Sequence, residues 1–167
     1  MYRKGTEKKP PEIGKNLVGF ALDPDDIESA VYELAPTIAV DRNTVEHELR
    51  FLRIFAVDFG ITLGLPRKPK EKDIISAFYF RTLDTFIEDL PSELKEKFMI
   101  NLERKFDSYG LTMKQNATGD PYNAIGKLFS SHCGLAHSKE LADYGKNQFI
   151  VTANGVSDYL KNTKIIA

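Results

Sequence analysis

The sequence has no tryptophan and only one cysteine, Cys133, in 167 residues. A single thiol cannot form a disulfide bond within the chain, and this composition is typical of a reducing compartment. Because tryptophan is absent, phenylalanine and tyrosine, which number 11 and 7, must supply the large aromatic side chains of any core. We therefore expect a cytoplasmic protein whose core is filled largely by phenylalanine.

The chain also lacks an excess of charge of either sign and any long apolar run. Lysine and arginine together number 23 against 24 aspartate and glutamate residues, which gives a formal net charge of -1. No field of the whole molecule would therefore attract nucleic acid or anionic lipid. Asp58, Arg81 and Asp84 interrupt the most apolar segments, so that no stretch approaches the roughly 20 apolar residues that cross a bilayer. We expect no membrane partner, and nucleic acid is a disfavoured one.

What the sequence does contain is apolar residues at helical spacing. Asp23-Pro24 is a typical helix start, since aspartate can cap the free amides and proline suits the first helical position. A second helix, at about 43–63, begins with Asn43 and Glu46, which resemble a capping box. It becomes apolar on nearly all sides after Arg53, as expected of a helix at the centre of a bundle. The same reasoning predicts four more helices, at about 71–90, 91–110, 120–136 and 138–160.

These patterns predict an all-α fold, a single-domain bundle of five or six helices over residues 17–167. One face of the helix that follows Pro91 carries an apolar residue every fourth position, and we expect this face to be buried: Leu94, Phe98, Leu102 and Phe106. Gly110 stands where a cap would end that helix. The stretch 148–160 leaves an alternative open, because residues 148–152 have strand-like composition and Asn154-Gly155 suits a hairpin turn.

Residues 1–16 are basic and contain two prolines and Gly14. Few of them have apolar surface to bury, so we expect a flexible arm that precedes the bundle.

His132, Cys133 and His137 form the densest group of chemically versatile residues. On the helix predicted at about 120–136, Cys133 and His137 are four residues apart, so their side chains lie on one face and could share a metal ion or act as thiol and base. The chain has only one other histidine, His47, and no CxxC or HExxH motif, so the spacing does not demand a zinc site. The alternative is that Cys133 is a small core residue and the histidines lie at the edge of the helix. We expect no cofactor.

Asp58 lies within an apolar run, so its carboxylate needs either a partner or a raised pKa. Arg81, on the next predicted helix, is the candidate partner. A catalytic acid could produce the same pattern, and we keep both interpretations.

Gly126, Ser130 and Gly134 follow one another at steps of four residues. Such a strip of small side chains lets another backbone approach closely, either a helix of the same chain or a second copy.

Three functions remain as hypotheses. The first is a protein-interaction or scaffold module that self-associates. The second is an enzyme or a metal-binding protein with a site around Cys133, His137 and His132, to which Asp58 could belong. The third is nucleic-acid binding through the basic N-terminal arm.

Overall fold

The computed structural model describes residues 5–167, which form seven α-helices and two strands of three residues each. In chain order the elements are β1 (Thr6–Lys8), α1 (Pro10–Leu22), α2 (Pro24–Tyr32), α3 (Arg42–Gly64), α4 (Pro69–Glu88), α5 (Ser92–Gln115), α6 (Pro121–His132), α7 (Lys139–Lys161) and β2 (Thr163–Ile165). The predicted all-α class is confirmed. Within the described part of the chain, no helix is long and apolar enough to cross a membrane.

All six predicted helices are present, as α2 to α7, and α1 precedes them. Aspartate side chains cap α2, α3 and α6, and Ser138 caps α7, each by accepting a hydrogen bond from a backbone amide of the first turn. The cap of α3 is Asp41, so the predicted capping box at Asn43 is wrong. The residues from 148 to 160 are helical throughout, which excludes the hairpin alternative.

The central helix is α3, as predicted. Its residues divide between two hydrophobic clusters. Ile54, Val57 and Ile61 belong to the first, which α3 shares mainly with α1, α4 and α7. Leu49 and Leu52 belong to the second, which includes residues of α2, α6 and α7. Because α3 serves both clusters, its side chains are apolar on nearly every side.

The prediction of a flexible arm over residues 1–16 is wrong for the part that the structure describes. Residues from Pro10 onward belong to α1, and Ile13 and Leu17 are fully buried. Gly14 allows the close approach of α1 to α4, because a Cβ atom there would lie 2.8 Å from the carbonyl oxygen of Phe78. Residues 1–4 lie outside the described part. The predicted boundary between arm and bundle therefore falls inside a packed helix.

The two ends of the described chain meet in a small parallel sheet. Strand β1 pairs with β2 in a register that places Thr6 opposite Thr163 and Lys8 opposite Ile165. Lys164 also forms an ion pair of 2.6 Å with Glu7 across the two strands. These contacts hold the segment before α1 against the segment after α7.

Polar side chains satisfy carbonyl groups at the ends of two helices. The guanidinium of Arg53 in α3 donates two hydrogen bonds, of 3.1 and 2.7 Å, to the carbonyl oxygen of Phe20 in α1. The hydroxyl of Tyr144 in α7 donates one, of 2.6 Å, to the carbonyl oxygen of Ala30 in α2. The last carbonyls of a helix have no partner within it, so these bonds fix α1 and α2 on the bundle.

Helix α5 lies at the edge of the bundle. It continues past Gly110 to Gln115, so the predicted cap at Gly110 is wrong, and Tyr109 is the one residue of α5 that is fully buried. Its apolar face is covered only in part, since Phe98, Leu102 and Phe106 are half-buried and Leu94 is 56% exposed. The prediction of a buried face is therefore wrong at the N-terminal end of α5.

Candidate functional site

Cys133 and His137 do not share a helical face. Helix α6 ends at His132, and Gly134 has a φ of 85°, a left-handed conformation that favours glycine. The amides of Gly134 and Leu135 donate to the carbonyl oxygens of Ser131 and Ser130, the bond pattern of a Schellman motif. The prediction that α6 reaches Ala136, on which the pairing of thiol and imidazole depended, is wrong.

Cys133 is a core residue. Its side chain is 7% exposed and lies in the second hydrophobic cluster. Burial raises the pKa of its thiol to about 12, and the nearby carboxylate of Glu48 adds to this effect. The thiol is therefore protonated at neutral pH, which leaves it a poor nucleophile and a poor metal ligand.

The two histidines have different surroundings. His132 is half-buried, and its Nδ1 atom lies 3.3 Å from the hydroxyl oxygen of Tyr109. Burial, assisted by the charge of Lys105, lowers the pKa of His132 to about 4, so the imidazole is neutral at physiological pH. His137 is exposed at the rim of a polar cavity of about 510 Å³, which Lys127 and Asp143 also line. In the part of the chain that the structure covers, no three His, Cys, Asp or Glu side chains are grouped closely enough to hold a metal ion.

Asp58 is not paired with Arg81. The guanidinium of Arg81 lies over the ring of Phe78, 5.1 Å from its centre, and Arg81 is exposed. Burial raises the pKa of Asp58, and the positive charge of Lys72 partly opposes this shift. The predicted partner is therefore wrong, and a lysine at the start of α4 provides the compensating charge instead.

The small-residue strip packs within the chain. A Cβ atom on Gly126 would lie 2.2 Å from the carbonyl oxygen of Ala142, so α6 and α7 are in backbone contact there. The hydroxyl of Ser130 donates a hydrogen bond to the carbonyl oxygen of Leu135. Gly134 ends α6 and faces open space. Of the two alternatives, the contact within the chain is the one observed at Gly126.

An ion pair that the sequence did not reveal joins α3 to α5. The ammonium of Lys105 contacts both carboxylate oxygens of Glu48, and these side chains are 13% and 8% exposed. Lys105 also lies 5.8 Å from the centre of the Phe51 ring. Together with Tyr109 and His132, this pair forms a polar group in the interior, between α3, α5 and α6. Every buried side-chain nitrogen and oxygen in residues 5–167 has a hydrogen-bond partner.

An apolar concave surface lies where the C-terminal end of α4 and the N-terminal end of α5 meet α3 and the junction of α1 and α2. We call it the α4–α5 groove. It encloses about 520 Å³, and its lining residues are Leu22, Pro24, His47, Arg50, Phe86, Leu90, Leu94, Lys97, Phe98 and Asn101. Phe86 and Leu94 are 39% and 56% exposed, so apolar surface faces outward here.

The charged residues that line the α4–α5 groove are basic. Arg50 and Lys97 contribute cations, His47 an imidazole, and no described lining residue is acidic. Arg50 already has one partner, Glu46, at 2.7 Å. Burial lowers the pKa of His47. Lys97 is therefore the lining cation without an ion-pair partner among residues 5–167. An apolar surface beside this charge suits a ligand with apolar groups and a negative charge.

None of the predicted site residues lines this groove. His132, Cys133 and Asp58 lie elsewhere in the bundle, and His137 lines the polar cavity. The groove residues were missed because a stripe such as Leu94 and Phe98 is the ordinary signature of a buried helix face. Comparison with known proteins found no matching family model, no matching curated protein and no matching solved structure.

Proposed function

We propose that this protein is a protein-interaction module that binds a partner in the α4–α5 groove. The observation that carries the proposal is the apolar lining left open at the N-terminal end of α5, where Leu94 is 56% exposed beside Phe86. When a partner removes exposed apolar groups of a concave surface from water, the free energy falls by about 25 cal/mol per Å² of apolar surface buried. A polar rim around such a surface is typical of recognition sites.

The two other hypotheses have less support. A site at Cys133 would need a thiolate, and burial keeps this thiol protonated. Binding of nucleic acid through a flexible basic arm would need this segment to be free, and its described part is packed on the bundle as β1 and the start of α1. Arg3 and Lys4 lie outside the described residues.

Self-association stays a prediction. The strip on α6 that suggested it is in contact with α7 at Gly126, so a homodimer would have to use another surface. We also propose a cytoplasmic location, because the single cysteine is compatible with a reducing compartment.

The proposal can be tested with a photo-crosslinking amino acid at position 94 in the source organism. The matched control is position 151, since Val151 is also an aliphatic residue on a long helix and is 69% exposed. We expect a discrete covalent adduct with another protein from position 94 and none of the same mass from position 151. No adduct from position 94, or the same adducts from both positions, would contradict the proposal. An adduct of twice the mass of the chain would identify a second copy as the partner.

A further inference from the structure

The α4–α5 groove has the form of a site for an additional helix. The lining residues of α5 are Leu94, Lys97, Phe98 and Asn101, which stand at positions i, i+3, i+4 and i+7 and therefore form one face of the helix. This face extends over two turns, or about 10 Å. On α4, Phe86 and Leu90 are four residues apart and also line the groove. A helix laid between these two rows would find apolar side chains on both sides.

The charges of the groove select the chemistry of the occupant. Lys97 is exposed and has no ion-pair partner among residues 5–167. Arg50 lies on the same lining but is paired with Glu46. The lining has no acidic side chain in the described chain. An acidic group on an incoming ligand would meet favourable potential, whereas a basic group would be repelled.

Outside the groove, a second copy of this chain offers no suitable helix in its described part. Outside the groove, the large apolar side chains that are exposed are Tyr32, Ile74, Ile100, Leu111 and Val151. They lie on four different helices, and the two on α5, Ile100 and Leu111, are 11 residues apart. No two of them stand at the i and i+3 or i+4 spacing that inserts into a groove.

We propose that the α4–α5 groove binds an amphipathic helix of a different protein, with apolar side chains at i, i+3 or i+4 and i+7 and acidic residues beside this apolar face. This inference rests on the proposed function, because it specifies the partner of the same site. The apolar anchors occupy the space beside Phe86 and Leu94, and an acidic residue pairs with Lys97.

The test is a selection from a displayed library of 14-residue helical peptides on the purified full chain. A Leu94→Glu variant serves for counter-selection, since Leu94 lines the groove and its side chain is 56% exposed. Circular dichroism and urea denaturation check that this variant is folded. We expect enriched peptides to carry the apolar spacing together with an excess of aspartate and glutamate. Enriched peptides without acidic excess, or none that prefer the unmodified chain, would overturn the inference.

Charge reversal provides a second measurement on the selected peptides. Lys97→Glu should weaken their binding at least tenfold by fluorescence anisotropy, because the acidic residues then face a like charge. The matched control is Lys127→Glu, an exposed lysine on α6 that lines the polar cavity instead, and we expect less than a twofold effect. Equal binding to the chain and to Lys97→Glu would refute the pairing.

Two other occupants are separated by the same reagents. Dodecanoate that binds more tightly than every selected peptide, and loses affinity in Leu94→Glu, would show that the groove takes a small amphiphile. A dimer seen by sedimentation and abolished by Leu94→Glu would show that it takes a second copy. Either result overturns the helix proposal. If position 94 forms adducts with a partner protein while the selected peptides are not acidic, the proposed function stands and only this inference fails.

Discussion

The ion pair between Glu48 and Lys105 should stabilise the fold only while both partners are present. Because the side chains are 8% and 13% exposed, either charge left alone would be largely withdrawn from water. Removal of one partner of a buried pair costs about 3–5 kcal/mol for this reason. We expect Lys105→Met to fall in that range, since the carboxylate of Glu48 lies deep between α3 and α5. Glu48→Leu should cost less, about 2–3 kcal/mol, because the longer stem of Lys105 can move its ammonium toward water.

The double variant distinguishes an unpaired charge from lost packing. Glu48→Leu combined with Lys105→Met removes both charges and keeps apolar volume, so its free energy of unfolding should lie within about 1 kcal/mol of that of the parent. The measurement is urea denaturation at pH 7, followed by circular dichroism. Lys164→Met is the matched control, because Lys164 and Glu7 form an exposed pair with side chains 65% and 56% exposed, and its loss should cost about 0–1 kcal/mol.

Either of two results would contradict a stabilising role for the buried charges. If the double variant loses the sum of the two single losses, the cost comes from packing and not from an unpaired charge. If Lys105→Met loses no more stability than Lys164→Met, the interior position of the pair has no energetic consequence.

Three further predictions concern single residues. Gly126→Ala should destabilise the protein by about 1–3 kcal/mol, because the new Cβ would lie 2.2 Å from the carbonyl oxygen of Ala142. Gly110→Ala should instead stabilise it by about 0.5–1 kcal/mol, because Gly110 is in the interior of α5 and no atom lies within 4 Å of the new Cβ. Equal changes in the free energy of unfolding would contradict the close packing at Gly126. Tyr79→Phe should cost about 1 kcal/mol by the same assay, since the buried hydroxyl donates a hydrogen bond of 2.9 Å to the carbonyl oxygen of Ile54, and an unchanged midpoint would show that this bond contributes nothing. The lowered pKa of His132, about 4 in the folded protein against an ordinary 6.5, means that the unfolded chain binds more protons between these values. The stability that depends on a neutral His132 is therefore fully present above pH 6.5 and is lost as the pH falls toward 4. The free energy of unfolding should decline less steeply over this range in His132→Asn than in the parent. Parallel plots of stability against pH for the two proteins would exclude a role of His132 in the pH dependence.

The helices could be predicted from the sequence because the residues that cap a helix and form its apolar face lie close together along the chain. Asp23 caps the helix that it was expected to begin, and Asp120 and Ser138 cap the helices predicted from about 120 and 138. An apolar repeat at helical spacing is also present in α1, but the two prolines and several charges of this segment are equally typical of a flexible arm. Pro10 and Pro11 occupy the first helical positions, where proline is well tolerated, and Ile13, Leu17 and Ala21 repeat every four residues. Gly134 likewise indicates the end of α6, because glycine is common just beyond the last residue of a helix.

Contacts between distant residues could not be predicted in this way. Glu48 and Lys105 are 57 positions apart, and Arg53 and Phe20 are 33 apart. A helical pattern shows which face of a helix is apolar, but it does not show which polar side chain at the edge of that face meets a partner from another helix. The polar group in the interior and the caps on α1 and α2 therefore appear only when the helices are placed together.

The α4–α5 groove is located by a disagreement between pattern and burial. The spacing of Leu94, Phe98, Leu102 and Phe106 predicts one continuous buried face on α5, and the structure covers its C-terminal part better than Leu94, which is 56% exposed. Local pattern and tertiary structure usually agree, and the places where they conflict are often functional. Contact between water and an apolar stripe that the chain does not cover is unfavourable in free energy, and a bound partner would remove this contact. The same stripe that made α5 look like an ordinary bundle helix is thus the strongest reason to look for a partner there.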